Sequence, residues 1–97
     1  MLSVRFDWDP EKNRELKEER GISFEEIALL LGAGILWKVT DHWNQAKYPN
    51  QAVFLIPIDG YIHAVPFVRD GETIFLKTAF PSRKLTKIYK ADLEANE

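Results

Sequence analysis

Three apolar runs fill the second half of the chain: QAVFLIPI (51–58), YIHAVPFV (61–68) and ETIFLKTAF (72–80). Asp59-Gly60 and Asp70-Gly71 separate them. Asp-Gly between apolar runs is among the strongest short-range hairpin signals, so the three runs predict an antiparallel meander. The first half has a different rhythm. Asp9-Pro10 supplies an N-cap followed by proline at the first helical position. The following segment, PEKNRELKEER, has Leu16 as its only large apolar residue. It predicts a surface helix pinned by Leu16 and the stems of Lys12 and Arg20, and ended by Gly21. Ser23 and Glu26 form a capping box that opens a second helix. Phe24, Ile27, Ala28 and Leu31 make its buried stripe, and Gly32 and Gly34 stop it. SVRFDW reads as a short leading strand, and ILWKVTDHWNQAKYPNQ as a short strand over 35–40 followed by a loop. Ser82 caps a last helix with Leu85, Ile88 and Tyr89 on one side and Lys84, Lys87 and Lys90 toward the other. The β-α-α-β-β-β-α order predicts an α+β fold, a small antiparallel sheet with helices packed on one face.

The turns fix which side chains share a face. A two-residue loop at Asp59-Gly60 sets Ile58 opposite Tyr61, Ile56 opposite His63 and Phe54 opposite Val65. A three-residue loop at Arg69-Asp70-Gly71 would set Ala64 opposite Leu76 and His63 opposite Lys77. On that register Val53, Leu55, Ile62, Ala64, Val68, Ile74 and Leu76 form an aliphatic face for helices to cover. The other face is then aromatic, with His63 and Lys77 among Phe54, Tyr61, Phe67 and Phe75. A two-residue second turn would exchange the faces of the last strand and bury Lys77, so the longer loop is expected. Pro66 falls in the central run. It has no N–H to donate, so a bulge or a lost ladder bond is expected within a residue or two.

Composition adds limits. Ninety-seven residues with 45% hydrophobic and 29% charged side chains describe an ordinary globular chain, read here as one domain, 1–97. The longest uncharged stretch, Ile27 to Trp37, is too short to span a bilayer. The opening residues lack the basic-then-apolar layout of a signal peptide. There is no cysteine, which removes disulfides and thiolate metal sites. A cytoplasmic protein without membrane attachment is expected. The net charge of −2 hides an asymmetry: residues 73–91 carry Lys77, Arg83, Lys84, Lys87 and Lys90 with no acid. Helix starts favour Asp and Glu, yet Arg83 and Lys84 stand at this one. An acidic chain polarised in this way can still bind an anion on one face.

The opening FDWDPEKNRELKEERGISFEE resembles that of the BrnT family of bacterial toxins, through Phe6, Trp8, Asp9, Lys12, Gly21, Ile22, Ser23, Phe24, Glu25 and Glu26. The basic segment at Ser82, Arg83, Lys84, Leu85 and Thr86, with Tyr89 further on, is similar to that family's closing motif. The stretch from KYPNQ to PSRK looks like a branch of CopG-partnered toxins within or beside it. The resemblance spans nearly the whole chain. It implies a RelE-like fold and a ribonuclease that cuts RNA without a metal or cofactor. It also implies neutralisation by a co-encoded ribbon-helix-helix (CopG/BrnA-like) antitoxin, which does the specific DNA binding.

The residues themselves carry matching chemistry. In metal-free RNA cleavage the 2′-hydroxyl attacks the neighbouring phosphate, and fixed donors must stabilise the charge on the phosphorane. Arg83 suits this through its planar fork, with Lys84 beside it and Ser82 at the open helix start. Lys77 and His63, cross-strand neighbours on the expected register, form a candidate cation and proton acceptor. Tyr89 is a further catalytic candidate, although a tyrosine on an apolar helix side is more often core. Lys12, Lys47, Lys87 and Ser82 are candidate RNA contacts. Trp8 and Asp9 are sufficiently explained by packing and capping. Trp37, His42, Trp43, Lys47 and Tyr48 crowd one loop, where they could stack on bases, clasp the antitoxin or simply pack. His42 and His63 do not fall at a metal-ligand spacing. The rival reading is a catalytically inactive toxin-like module that only binds protein. It is favoured by Leu16 and Glu19-Arg20, where the family usually has Asn and Lys-His.

Overall fold

The computed structural model describes residues 4–34 and 38–89. Residues 35–37, where the strand before the loop was expected to begin, lie outside these, as do Trp37 and Lys90. The elements run β1 (Arg5–Trp8), α1 (Pro10–Arg20), α2 (Phe24–Gly32), β2 (Lys38–Asp41), β3 (Gln51–Ile58), β4 (Tyr61–Asp70), β5 (Thr73–Leu76), β6 (Phe80–Pro81) and α3 (Arg83–Ile88). The fold class is α+β, with six strands in one sheet in the order β1-β5-β4-β3-β2, and β6 paired to β4 beyond β5. No helix among the described residues is long and apolar enough to cross a membrane.

Strands β3, β4 and β5 form the expected meander. Asp59 and Gly60 both have positive φ, as a type I′ hairpin turn requires, and Ile58 faces Tyr61. The sheet is mixed, however: β1 lies parallel to β5, with Phe6 beside Ile74 and Trp8 beside Leu76. β1 is joined to the rest through two helices, so its direction was not encoded in any turn.

The second turn corrects the expected register. Asp70 pairs with Thr73 around a two-residue Gly71-Glu72 turn, which shifts the partner of Leu76 by three residues, from Ala64 to Phe67. Gly71 takes φ 60°, the left-handed geometry required at the first central position of a II′-type loop. Phe67 therefore faces Leu76, and the faces of β5 are exchanged. Ile74 and Leu76 join Phe54, Ile56, Ile58, Val65 and Phe67 in the larger core, closed by Leu16 of α1 and Phe24 and Ile27 of α2. Phe54 and Phe67 stack at 3.9 Å between centroids. The aromatic face is thus the one that α1 and α2 cover, which buries the larger side chains. Val53, Leu55, Ile62 and Ala64 form a second core on the opposite face, under Phe80 and Leu85 of α3. Helices pack on both faces rather than one.

Pro66 behaves as its missing N–H demands. Between the pairs Phe67–Leu76 and Ala64–Phe80, Val65 and Pro66 face three residues, Lys77, Thr78 and Ala79. This is a bulge. The Pro66 carbonyl accepts from Lys77 N–H at 2.8 Å, so the donor that Pro66 lacks would have pointed to that same edge.

The polar helix α1 is held by more than Leu16. Asn13, 7% exposed, accepts from Phe24 N–H at 2.8 Å and donates to the Glu25 carboxylate at 2.5 and 2.9 Å. Ser23 Oγ accepts from Glu26 N–H at 3.1 Å. Together they satisfy the first turn of α2 and lock the two helices at their junction. Asn13, followed by the Lys17 ammonium at 3.3 Å, holds the Glu25 carboxyl below the ordinary glutamate range.

Two outcomes follow from this clamp. Asn13→Ala leaves a buried N–H unpaired and should lower stability by about 1–3 kcal/mol in urea denaturation. Glu25 has a lowered folded pKa, so its contribution is present above the unfolded value and is lost as pH falls through the folded one. The stability gap between parent and Asn13→Ala should therefore narrow as pH falls below about 4. In NMR titration the Glu25 carboxyl should move back up in the variant.

Candidate functional site

The loop between β2 and β3 folds on itself. Tyr48 N–H donates to the Asn44 carbonyl at 2.9 Å, and Gln51 N–H to the Tyr48 carbonyl at 3.2 Å. Asn44 Oδ1 accepts from Lys47 N–H at 3.2 Å, and Gln45 Nε2 donates to the His42 carbonyl at 2.6 Å. His42, 5% exposed, is the loop's hub. Its ring lies 4.2 Å from Trp43 and 4.5 Å from Tyr48 between centroids. Its Nδ1 accepts from Asn44 N–H at 3.0 Å. That bond places the ring proton of the neutral imidazole on Nε2.

Trp43 is 63% exposed and meets Phe80 of β6 edge-on at 5.7 Å. Between the loop and the Pro66 bulge lies a cavity of about 370 Å³ lined by His42, Trp43, Tyr48, Gln51, Pro66, Lys77, Thr78 and Phe80. Strand alternation past Leu76 puts Lys77 there: its N–H donates to the Pro66 carbonyl and its Nζ lies 5.1 Å from the Phe75 ring centroid. Lys47 Nζ stands 5.3 Å from the Tyr48 ring on the same loop. Among the described residues no carboxylate lines the cavity.

β6 leads directly from the cavity into α3. Ser82 N–H donates to the Ile62 carbonyl at 2.8 Å, and Ser82 Oγ accepts from Leu85 N–H at 3.2 Å. Thr86 Oγ1 donates to the Ser82 carbonyl at 2.6 Å and accepts from Ile62 N–H at 2.9 Å. Ser82 is thus occupied in docking α3 onto the β4 edge. Arg83, Lys84 and Lys87 are exposed, and none forms an ion pair among the described residues. Helix α3 has only six residues, so its macrodipole is slight and the two leading cations cost it little. Tyr89 caps it, with Lys38 Nζ 4.5 Å from its ring centroid.

The other expected residues lie elsewhere. His63 and Lys77 are not cross-strand neighbours: His63 pairs with Ile56 on one side and Pro81 on the other. It is 7% exposed, on the face covered by α1 and α2, and its Nδ1 donates to the Tyr61 carbonyl at 3.1 Å. The three-residue shift of register after the second turn separates the pair. Lys12 sits on α1, 3.8 Å from Glu15. The structure therefore gathers Lys77 and Lys47 about the cavity and sets Ser82, Arg83, Lys84, Lys87 and Tyr89 on the helix that follows it. His63 and Lys12 belong to the opposite side. Sequence reading missed the central place of His42 and the cavity walls Gln51, Thr78 and Phe80. The crowding of aromatics over 42–48 was the available signal.

No family model, curated protein or solved structure matches this chain.

The placement of the two residues predicts opposite responses. His63→Ala should cost about 1–3 kcal/mol in urea denaturation, through lost packing and a lost hydrogen bond. Lys77→Met, at an exposed site, should stay within about 0.5 kcal/mol of the parent.

Proposed function

We infer that this protein is the toxin half of a bacterial toxin–antitoxin pair, a metal-independent endoribonuclease neutralised by a ribbon-helix-helix antitoxin. The resemblance of nearly the whole chain to BrnT-like toxins supports the reading, and the α+β architecture accommodates a RelE-like arrangement. The observation that carries it is the segregation of charge. The ion pairs Lys12–Glu15, Arg14–Glu11 and Lys17–Glu25 all involve α1. Lys77 and the α3 cations Arg83, Lys84 and Lys87 lie beyond the other face of the sheet without ion pairs among the described residues. A polyanion is drawn to that side despite the net charge of −2.

In this reading the RNA 2′-hydroxyl forms a bond to the adjacent phosphorus as the bond to the 5′-oxygen breaks. One product ends in a 2′,3′-cyclic phosphate and the other in a 5′-hydroxyl. Arg83 stabilises the phosphorane, and Lys77, Lys84, Lys87 and Lys47 hold flanking phosphates. The burial of His63 away from these cations removes the expected proton acceptor from their side. That same observation favours the second reading, a toxin-like binding module without catalysis.

Induced expression and RNA cleavage in the presence of EDTA separate the two. The toxin reading expects growth arrest, cyclic-phosphate ends and rescue by the co-encoded antitoxin. Arg83→Ala should abolish arrest and cleavage with stability within about 0.5 kcal/mol of the parent. Arg83→Lys should recover little, because Lys lacks the bidentate fork. A folded Arg83→Ala variant as toxic as the parent would contradict the role of Arg83, and absence of cleavage by the parent would leave the binding module.

A further inference from the structure

We propose that the cavity between the β2–β3 loop and the Pro66 bulge receives one base of single-stranded RNA, with a phosphate of that nucleotide at Lys77. The inference rests on the RNA-directed reading above and names the part of the substrate that the chain holds beside the cleavage site. Three features of the cavity select the ligand.

The first is the shape and material of its walls. Trp43, Tyr48 and Phe80 offer aromatic surface, and Trp43 leaves most of its indole open to solvent. A volume of about 370 Å³ lies at the small end of ligand pockets, the scale of one nucleotide. Stacking on such rings is the usual means by which proteins hold unpaired bases, because every base has a π-face.

The second is a donor left without a partner. His42 Nδ1 is committed to Asn44 N–H, so Nε2 carries the proton. Nε2 makes no hydrogen bond among the described residues, although His42 is 95% buried. No buried side-chain nitrogen or oxygen among the described residues lacks a partner, so Nε2 keeps contact with solvent, and His42 is one of the cavity's walls. An imidazole N–H clamped by its own loop is a fixed donor for a base carbonyl, ring nitrogen or phosphate oxygen. Gln51 adds an amide that can both donate and accept.

The third is charge. Among the described residues Lys77 is the one charged side chain lining the cavity, and no carboxylate of theirs opposes it. A ring alone would be content with aromatic walls; a ring joined to an anion also uses the lysine. The α3 cations begin three residues beyond Phe80, so a strand with one base in the cavity can continue along Arg83, Lys84 and Lys87. A protein anchor in the same cavity would have little use for Lys77 and the His42 donor.

The test titrates the purified full chain with the four nucleoside 3′-monophosphates and with a 2′-O-methyl RNA octamer, which has no free 2′-hydroxyl and cannot be cut by this route. Quenching of tryptophan fluorescence reads base stacking on Trp43. The parent should bind and be quenched. Trp43→Ala, a substitution at an exposed position, should weaken octamer binding roughly tenfold or more. Lys77→Met should weaken it and lower the slope of log affinity against log salt by about 0.7, the loss of one phosphate contact on a single strand. His42→Phe keeps the ring packing and should weaken binding without abolishing the quench. Binding with these sensitivities but no RNA cleavage would uphold the pocket and overturn the ribonuclease reading. Folded Trp43→Ala and Lys77→Met proteins that bind the octamer and cut RNA as the parent does would overturn the pocket and leave the ribonuclease reading standing. Failure of the parent to bind any of the five probes would also overturn it, and would leave the cavity as an anchor for a protein partner.

Discussion

The middle of the longest strand contains a residue that cannot donate a hydrogen bond, and the sheet is arranged around that missing donor. Pro66 faces β3 normally through Val53, but on its other edge it can only accept. β5 pairs with β4 as far as Leu76; then one extra residue enters opposite Val65 and Pro66, and pairing resumes as β6. Alternation past Leu76 sets Lys77 on the Pro66 side of the sheet, beside Phe75. The bulge that follows turns Ala79 into the larger core and returns Phe80 to the second core beside Ala64. α3 begins immediately afterwards, tied to Ile62 through Ser82 and Thr86. A single backbone constraint therefore brings an aromatic wall and a basic helix to the side of the molecule that carries Lys77.

The two faces of the sheet then divide their tasks. One carries the larger core, the polar helix α1 and the amphipathic α2, where Glu11, Glu15 and Glu25 pair with Arg14, Lys12 and Lys17 and the buried Asn13 clamp orders the junction. The other is only partly covered by α3, which leaves the cavity beside the β2–β3 loop open. Lys77, Arg83, Lys84 and Lys87 on that side form no ion pair among the described residues. An acidic chain thereby presents a basic, aromatic surface. Electrostatic attraction to a polyanion depends on this local arrangement more than on the sum of charges.

Much of this was legible in the residues. Alternation and Asp-Gly turns gave the meander, and Asp59-Gly60 gave the β3–β4 register because a two-residue I′ turn leaves no freedom. The proline gave the bulge. The second turn misled because Gly71 satisfies either loop: it can close a three-residue turn at its end or open a two-residue turn at its start. A shift of register by an odd number of residues, here three, reverses the faces of a period-two strand. The expected His63–Lys77 pair depended wholly on that choice. Parallel β1 was not readable, since no turn joins it to β5. Asn13 looked like one more polar residue in a polar helix; its burial depends on α2 folding back, a tertiary fact. The aromatic crowd over 42–48 was visible, but its packing around His42 depends on a loop closed by its own backbone bonds.

The account's central claim is that the side of the sheet bearing the bulge, the β2–β3 loop and α3 is the one that meets RNA. Backbone and indole NMR shifts of the isotope-labelled protein, followed as a 2′-O-methyl RNA is added, map that contact directly. The account predicts perturbations at Trp43, Tyr48, Lys77, Phe80 and Arg83 to Lys87, with α1 and α2 unmoved. Perturbations concentrated on α1 and α2, with the Trp43 indole and α3 unchanged, would contradict it.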